Sequence, residues 1–248
     1  MIKQLTISVE LLMLLVMSVG VVHAFEVNVE FTAEAMQSMP GQTPVYSKMY
    51  VSKDAVRTES YIDGSLVVDI TFPYQGRRLR LFPETKKYIA ASGLPVKLEQ
   101  KKNSSKTPCD EIPGSRCTKI GEEILHGIKV NKWQIEKKVK DKVFKVLQWI
   151  DPERKLSLRE MSPDGNIAEL RTLGKSHLYE REVEVWEYIE SNATGITDRS
   201  KQWYDPELKM VIQEQKQGGY FRGLRNIKTG KQNKTLFELP VSYQKVAN

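Results

Sequence analysis

An internal repeat constrains the fold of this chain more than any other feature of its sequence. The segment Trp149–Lys155 (Trp-Ile-Asp-Pro-Glu-Arg-Lys) returns 54 positions later as Trp203–Lys209 (Trp-Tyr-Asp-Pro-Glu-Leu-Lys). Upstream of these segments, Trp133 matches Trp186 once a single residue of slack is allowed. A weaker copy, Pro83–Lys86, keeps only the Pro-Glu-x-Lys core. Self-similarity at a fixed spacing predicts a structural unit that the chain uses more than once.

The shared Asp-Pro-Glu-x-Lys pattern is typical of a tight turn between two strands. Proline presets the φ angle of the second turn position, and the preceding aspartate accepts hydrogen bonds from the amides that follow it. A catalytic alternative would pair Asp151 with Glu153 and Asp205 with Glu207 as acids and bases. Because the pattern recurs at equivalent places whereas an active site is usually built once, we favour the turn.

Other catalytic motifs are absent from the sequence. His126 and His177 have no serine or cysteine in a nucleophile elbow, and no glycine-rich phosphate loop follows a predicted strand. We therefore expect no enzymatic activity, no cofactor and no metal site.

Strand patterns dominate the rest of the chain. Apolar and polar residues alternate strictly over Phe25–Ala35, which predicts a half-buried strand, and Asp63-Gly64 predicts a hairpin turn. Glu180–Glu190 has some helical character, but its alignment with the Trp133 strand favours a strand. Leu236–Tyr243 contains Pro240 and is predicted to be a last edge element. The irregular stretch Ser92–Lys106 is either a functional flap or a disordered loop.

The first 24 residues have the features of a secretory signal peptide. Lys3 precedes an apolar run, Leu11–Val22, which is shorter than the roughly 20 residues of a membrane-spanning helix, and Val22-His23-Ala24 resembles a cleavage site. We predict cleavage after Ala24 and export, without a cysteine for lipidation. The formal charge of +7 suits an anionic membrane surface or simple solubility. Nucleic acid is not an expected partner of an exported protein.

The two cysteines, Cys109 and Cys117, are predicted to form a local disulfide. Their separation is short, Pro113-Gly114 turns the chain between them, and an exported protein meets oxidising conditions. A redox pair would favour tighter spacing, and two cysteines with His126 fall short of a structural zinc site.

Large aromatic residues of the repeat are the candidate ligand-binding residues. Two interpretations stay open for them: they pack in the core, as large aromatics usually do, or they line the mouth of a concave apolar cavity. The candidates are Trp133, Trp149, Trp186, Trp203 and Tyr204.

The chain resembles the LolA/LolB-like superfamily of periplasmic lipoprotein carriers, and in particular exported relatives described as lipoprotein-sorting proteins of unknown function. The resemblance is carried by the signal followed by a strand, by Lys48–Arg57, by Gly121–Trp133 leading to Trp149-Ile150-Asp151, and by Leu236–Pro240 with Tyr243. It implies a mainly β fold with minor α: a strongly curved antiparallel sheet, or unclosed half-barrel, with internal meander repeats and a small helical or loop lid. It also implies a cavity for acyl chains of lipoproteins or for other lipids.

Together these observations predict a periplasmic carrier with one domain over residues 25–248, containing repeat-like units at about 120–174 and 175–230. Its expected partners are lipids or lipoprotein acyl chains, with transient contact to an anionic membrane surface, and the protein is expected to be monomeric. The alternative is a non-enzymatic envelope sensor or interaction protein with a filled core that binds a protein partner.

Overall fold

A computed structural model of the chain describes residues 29–93, 107–112 and 114–246. The predicted signal peptide lies outside these residues, as does the predicted irregular stretch Ser92–Lys106 from residue 94 onward. Within the described residues, no helix has the length and apolar character needed to cross a membrane.

The described residues form sixteen strands and three short 3-10 helices, at Pro73–Gln75, Pro108–Glu111 and Lys234–Phe237. The strands are β1 (Phe31–Ser38), β2 (Val45–Val51), β3 (Val56–Ile62), β4 (Ser65–Phe72), β5 (Arg77–Phe82), β6 (Lys87–Ser92), β7 (Ser115–Leu125), β8 (Ile128–Val139), β9 (Lys142–Asp151), β10 (Leu156–Met161), β11 (Ile167–Leu178), β12 (Arg181–Asn192), β13 (Gly195–Asp205), β14 (Met210–Lys216), β15 (Phe221–Thr229) and β16 (Gln244–Lys245).

These strands belong to a single sheet that is not closed into a barrel. The predicted mainly β, open antiparallel fold is therefore confirmed. The chain divides into two compact units. The larger contains the described residues 29–93 and 166–246, in the order β16-β6-β5-β4-β3-β2-β1-β15-β14-β13-β12-β11. The smaller contains β10-β9-β8-β7. The single domain over residues 25–248 stays a prediction.

The sequence repeat corresponds to a repeat of strands. Strands β9 and β13 end on Asp151 and Asp205, and the strands that follow them begin at Leu156 and Met210. The spacing of 54 is thus kept on both sides of the turn, and the strand predicted around Glu180–Glu190 is confirmed as β12.

The C-terminal segment covers one face of β3–β6 in the larger unit. Phe237 packs into a buried cluster with Val68, Ile70, Leu79 and Leu81. Strand β16 then adds to β6 in parallel, whereas every other described strand pairing is antiparallel. The edge strand therefore lies just after the predicted edge element Leu236–Tyr243, whose own residues form the end of a 3-10 helix and turns.

The disulfide between Cys109 and Cys117 is present, as predicted. It joins the 3-10 helix at Pro108–Glu111 to β7 in the smaller unit. Disulfides persist in oxidising compartments, so this bond is consistent with export.

Candidate ligand-binding face

The strand register determines which candidate aromatics of the larger unit share a face. Directly opposed residues on neighbouring strands lie on the same face, and successive residues of a strand alternate between faces. Trp186 is opposite Gln202, whereas Trp203 is opposite Val185 and Gln213. Trp186 and Trp203 therefore lie on opposite faces. We call the face with Trp186 and Gln202 the front face and the face with Trp203 the back face.

Tyr204 joins Trp186 on the front face, because it is opposite Glu184, two positions before Trp186 on β12. Trp186 is buried, with 4% of its surface exposed, and Tyr204 is partly buried. Of the three predicted site residues in the larger unit, the structure thus places two on one face.

A row of buried polar side chains crosses the front face. Gln202 on β13 is opposite Glu214 on β14, Glu214 is opposite Arg222 on β15, and Arg222 is opposite Gln37 on β1. Each of the four residues has 7% or less of its surface exposed. We call this set the polar row; it includes an ion pair in which Arg222 Nε lies 2.7 Å from Glu214 Oε2.

The polar row is only partly satisfied. Gln202 Nε2 donates to Glu214 Oε1 at 3.2 Å. Glu214 Oε2, despite its charge contact with Arg222, is not aligned for a hydrogen bond with any described residue. Gln37 Nε2 is buried and has no acceptor among the described residues. Because buried polar atoms nearly always have partners, this donor requires an explanation.

Apolar and small side chains surround the polar row on the front face. Phe31, Ala33 and Ala35 alternate along β1 up to Gln37, and Leu224 is opposite Ala35. Met49 on β2 is opposite Ala33. All five have 5% or less of their surface exposed. The front face therefore has an apolar area next to a polar one. An amphiphile has the same two parts.

In the smaller unit, Trp133 and Trp149 also lie on opposite faces of the sheet. Trp149 is opposite Lys132, whereas Trp133 is opposite Gln148. The indole nitrogen of Trp149 donates to Glu123 Oε2 at 2.7 Å. The register therefore does not place these two candidates on a common surface.

Charged groups surround the Trp149 indole. Lys132 Nζ lies 4.6 Å from the ring centroid and Arg159 Cζ lies 5.6 Å from it, within the range of cation–π contacts. Hydrogen bonds from Lys132 and then from Trp149 lower the pKa of Glu123. These contacts link β7, β8, β9 and β10.

The repeated aspartates stabilise turns, as the sequence predicted. Asp151 Oδ1 accepts from the amides of Glu153 and Arg154 at 2.8 and 3.2 Å. In the second copy, Asp205 Oδ1 accepts from the amides of Glu207 and Leu208, both at 2.9 Å.

Asp205 differs from Asp151 in its arginine partner. Its Oδ2 accepts from Arg181 Nε, whose side chain is 17% exposed, whereas Arg154 beside Asp151 is 48% exposed. The hydrogen bond that Arg181 donates to Asp205 raises the pKa of Arg181 despite partial burial. The lysine that ends the pattern has a left-handed backbone in all three copies, with φ of 50° at Lys86, 55° at Lys155 and 54° at Lys209.

The polar row was missed by sequence reasoning. In a strand with alternating residues, a glutamate or glutamine normally indicates the solvent side, and here Glu214 and Gln37 occupy the buried side. One clue was available: Glu214 and Arg222 are equidistant from Gly218, which lies in the turn between β14 and β15. A hairpin centred there brings the two charges opposite each other.

Comparisons with known proteins place the chain among remote structural neighbours. No family model matches the sequence, and no curated protein matches it. Similar solved structures include a LolA superfamily protein from Nitrosomonas europaea, with 8% identity, 85% of this chain and 89% of that chain covered, and a TM-score of 0.37. Another is a putative outer membrane lipoprotein-sorting protein domain from Vibrio parahaemolyticus, with 10% identity, 84% and 89% covered, and a TM-score of 0.33.

A third is a DUF1329 family protein from Desulfovibrio piger, with 14% identity, 84% and 89% covered, and a TM-score of 0.34. One of these neighbours is described as a protein of the superfamily that the sequence resemblance named. At these TM-scores the likeness carries no argument about function.

Proposed function

We propose that the protein is an exported, non-enzymatic carrier that binds an amphiphile, such as a lipid or the acyl chain of a lipoprotein, on the front face of the larger unit. The observation that carries this proposal is the buried amide of Gln37, which lacks an acceptor in the described part of the chain and lies at the end of the apolar series Phe31–Ala35. A buried donor without an acceptor is a costly feature in an apolar surrounding. A ligand with an acyl chain and a carbonyl or carboxylate oxygen provides both the apolar contact and the acceptor.

The proposal assigns different roles to the five aromatic candidates. Trp186 and Tyr204 share the front face with the polar row and are proposed to contact the ligand. Trp203 is on the back face, and Trp149 is held by Glu123, so these residues and Trp133 are proposed to stabilise the fold. The sequence resemblance and the disulfide support a periplasmic location.

The sharpest test replaces the orphaned amide by an apolar group of similar size. Gln37→Leu should weaken binding of a fluorescent fatty acid by about 10-fold or more, since a hydrogen bond to a charged group contributes about 1.5–3 kcal/mol. The melting temperature should stay the same or rise, because the variant no longer buries an unpaired donor. Fluorescence titration gives the affinity, and circular dichroism gives the melting temperature.

Gln213→Leu is the matched control, because Gln213 is a partly buried glutamine on the back face. It should leave fatty-acid affinity within about 2-fold of the original. If both variants bound the fatty acid as the original chain does, the front face would not be the binding site. If neither the original chain nor the variants bound the fatty acid, a protein-binding role with a filled core would be favoured.

A further inference from the structure

A second surface feature, a cleft of about 340 Å³, lies in the larger unit between β12, β13 and β14. Glu187, Lys201 and Gln215 on these three strands are directly opposed to one another. Lys201 lies two positions before Trp203 on β13, so this trio belongs to the back face. The lining residues are Leu173, Glu187, Arg199, Ser200, Lys201, Gln215, Lys216 and Gln217. By the same register, Ser200 and Lys216 are on the front face, so the back-face cations of the lining are Arg199 and Lys201.

Glu187 is the one carboxylate among the described lining residues. Its charge is already neutralised by Arg171, which is not a lining residue. Arg171 Nε donates to Glu187 Oε2 at 2.7 Å, and a second nitrogen of the same guanidinium donates to the same oxygen. Lys216 Nζ is paired in turn with Asp198 Oδ2 at 3.0 Å. Each of these pairs contributes no net charge to the cleft.

Two cations remain in excess. Arg199 Nε lies 3.5 Å from Glu187 Oε1, yet it is a buried atom without a hydrogen-bond partner among the described residues. Lys201 Nζ lies 5.0 Å from the Trp203 ring centroid, a cation–π contact that leaves its ammonium charge uncompensated. Since Glu187 is already engaged by Arg171, Arg199, a lining residue, has an Nε donor that no described residue uses.

The neighbouring lysine keeps its charge. Burial by itself lowers the pKa of Lys216, but the hydrogen bond and charge of Asp198, with the charges of Glu214 and Glu190, raise it above its ordinary value. The six charged groups of the cleft and its immediate partners (Arg171, Arg199, Lys201, Lys216, Glu187 and Asp198) therefore leave an excess of two positive charges at neutral pH.

We infer that this cleft binds an oxyanion of the phosphate type. A guanidinium presents a planar fork of donors that matches phosphate oxygens, and a nearby ammonium adds a second positive charge. The side-chain amides of Gln215 and Gln217 belong to lining residues of the same cleft and supply further hydrogen-bonding groups. The phosphate group is either free inorganic phosphate or the phosphate ester of a lipid headgroup. This inference does not depend on amphiphile binding at the front face.

The test is isothermal titration calorimetry of the mature chain at low ionic strength, with inorganic phosphate and glycerol 3-phosphate as separate probes. Saturable binding at one site per chain is expected for at least one probe, and Arg199→Gln and Lys201→Gln should each weaken it by 10-fold or more. Lys228→Gln is the charge-matched control, because Lys228 is exposed on β15 and is not a lining residue. It should change the affinity by less than 2-fold.

The outcomes separate the sources of the phosphate. Tighter binding of glycerol 3-phosphate identifies an esterified phosphate, whereas equal or tighter binding of inorganic phosphate identifies the free ion. The inference is overturned if neither probe binds saturably, or if Lys228→Gln weakens binding as much as the two cleft variants do. Lys201 is exposed, so Lys201→Gln retains the test even if Arg199→Gln unfolds. Fatty-acid binding by the same samples reports on the front face separately.

Discussion

Replacing Arg222 by methionine should destabilise the larger unit by about 3–5 kcal/mol, because it leaves the carboxylate of Glu214 buried without its charged partner. Both side chains of the pair are almost completely buried, at 2% and 8% exposure. Glu214→Leu should lower the free energy of unfolding by a similar amount, since it removes the charged partner of the buried guanidinium and one of the two acceptors of Gln202 Nε2. Urea unfolding monitored by circular dichroism gives the free energies.

The double variant Glu214→Leu/Arg222→Met should recover most of that loss, because replacing a whole buried ion pair by apolar side chains is often neutral or stabilising. If the polar row serves only the fold, fatty-acid binding should return with stability. We expect binding to remain weakened, because the polar end of the proposed site would be gone. Full recovery of both properties would assign the polar row to structure alone.

Asp205→Ala should destabilise the larger unit by about 4 kcal/mol. The variant removes the acceptor of two turn amides and the buried partner of Arg181, whose side chain then keeps only the more exposed Glu207. Loss of one member of a buried ion pair costs about 3–5 kcal/mol. Differential scanning calorimetry and urea unfolding both report the change.

Two further variants separate the contribution of the turn hydrogen bonds of Asp205 from the contribution of its ion pair. Asp205→Asn keeps an oxygen for the turn amides and removes the charge beside Arg181. Its loss of stability should therefore be smaller than that of Asp205→Ala. Glu207→Ala should cost less than about 1 kcal/mol, because Glu207 is 59% exposed and exposed ion pairs contribute little. Equal losses for Asp205→Ala and Glu207→Ala would contradict a structural role for the buried aspartate.

Local sequence patterns determine the turns, which is why the hairpins were predictable. Asp63-Gly64 forms the two-residue turn between β3 and β4, with φ of 51° and 81°. Such turns require positive φ at both positions, and this dipeptide adopts it readily. The turns after Asp151 and Asp205 follow the same logic, because their hydrogen bonds join residues that are two or three positions apart.

The face of each aromatic was not predictable to the same degree. Trp133 and Trp149 are one position away from being cross-strand partners, and the same holds for Trp186 and Trp203. A shift of one residue in register moves a side chain to the other face. The sequence is apolar on both sides of β9, so it contains no alternation that would have fixed the register.

Native mass spectrometry of protein purified from its own compartment shows whether the mature protein carries an amphiphile. We predict a bound phospholipid, acyl lipoprotein or related amphiphile at about one per chain, reduced in Gln37→Leu and retained in Gln213→Leu. Recovery of a ligand-free chain that also fails to bind added fatty acid would contradict the claim.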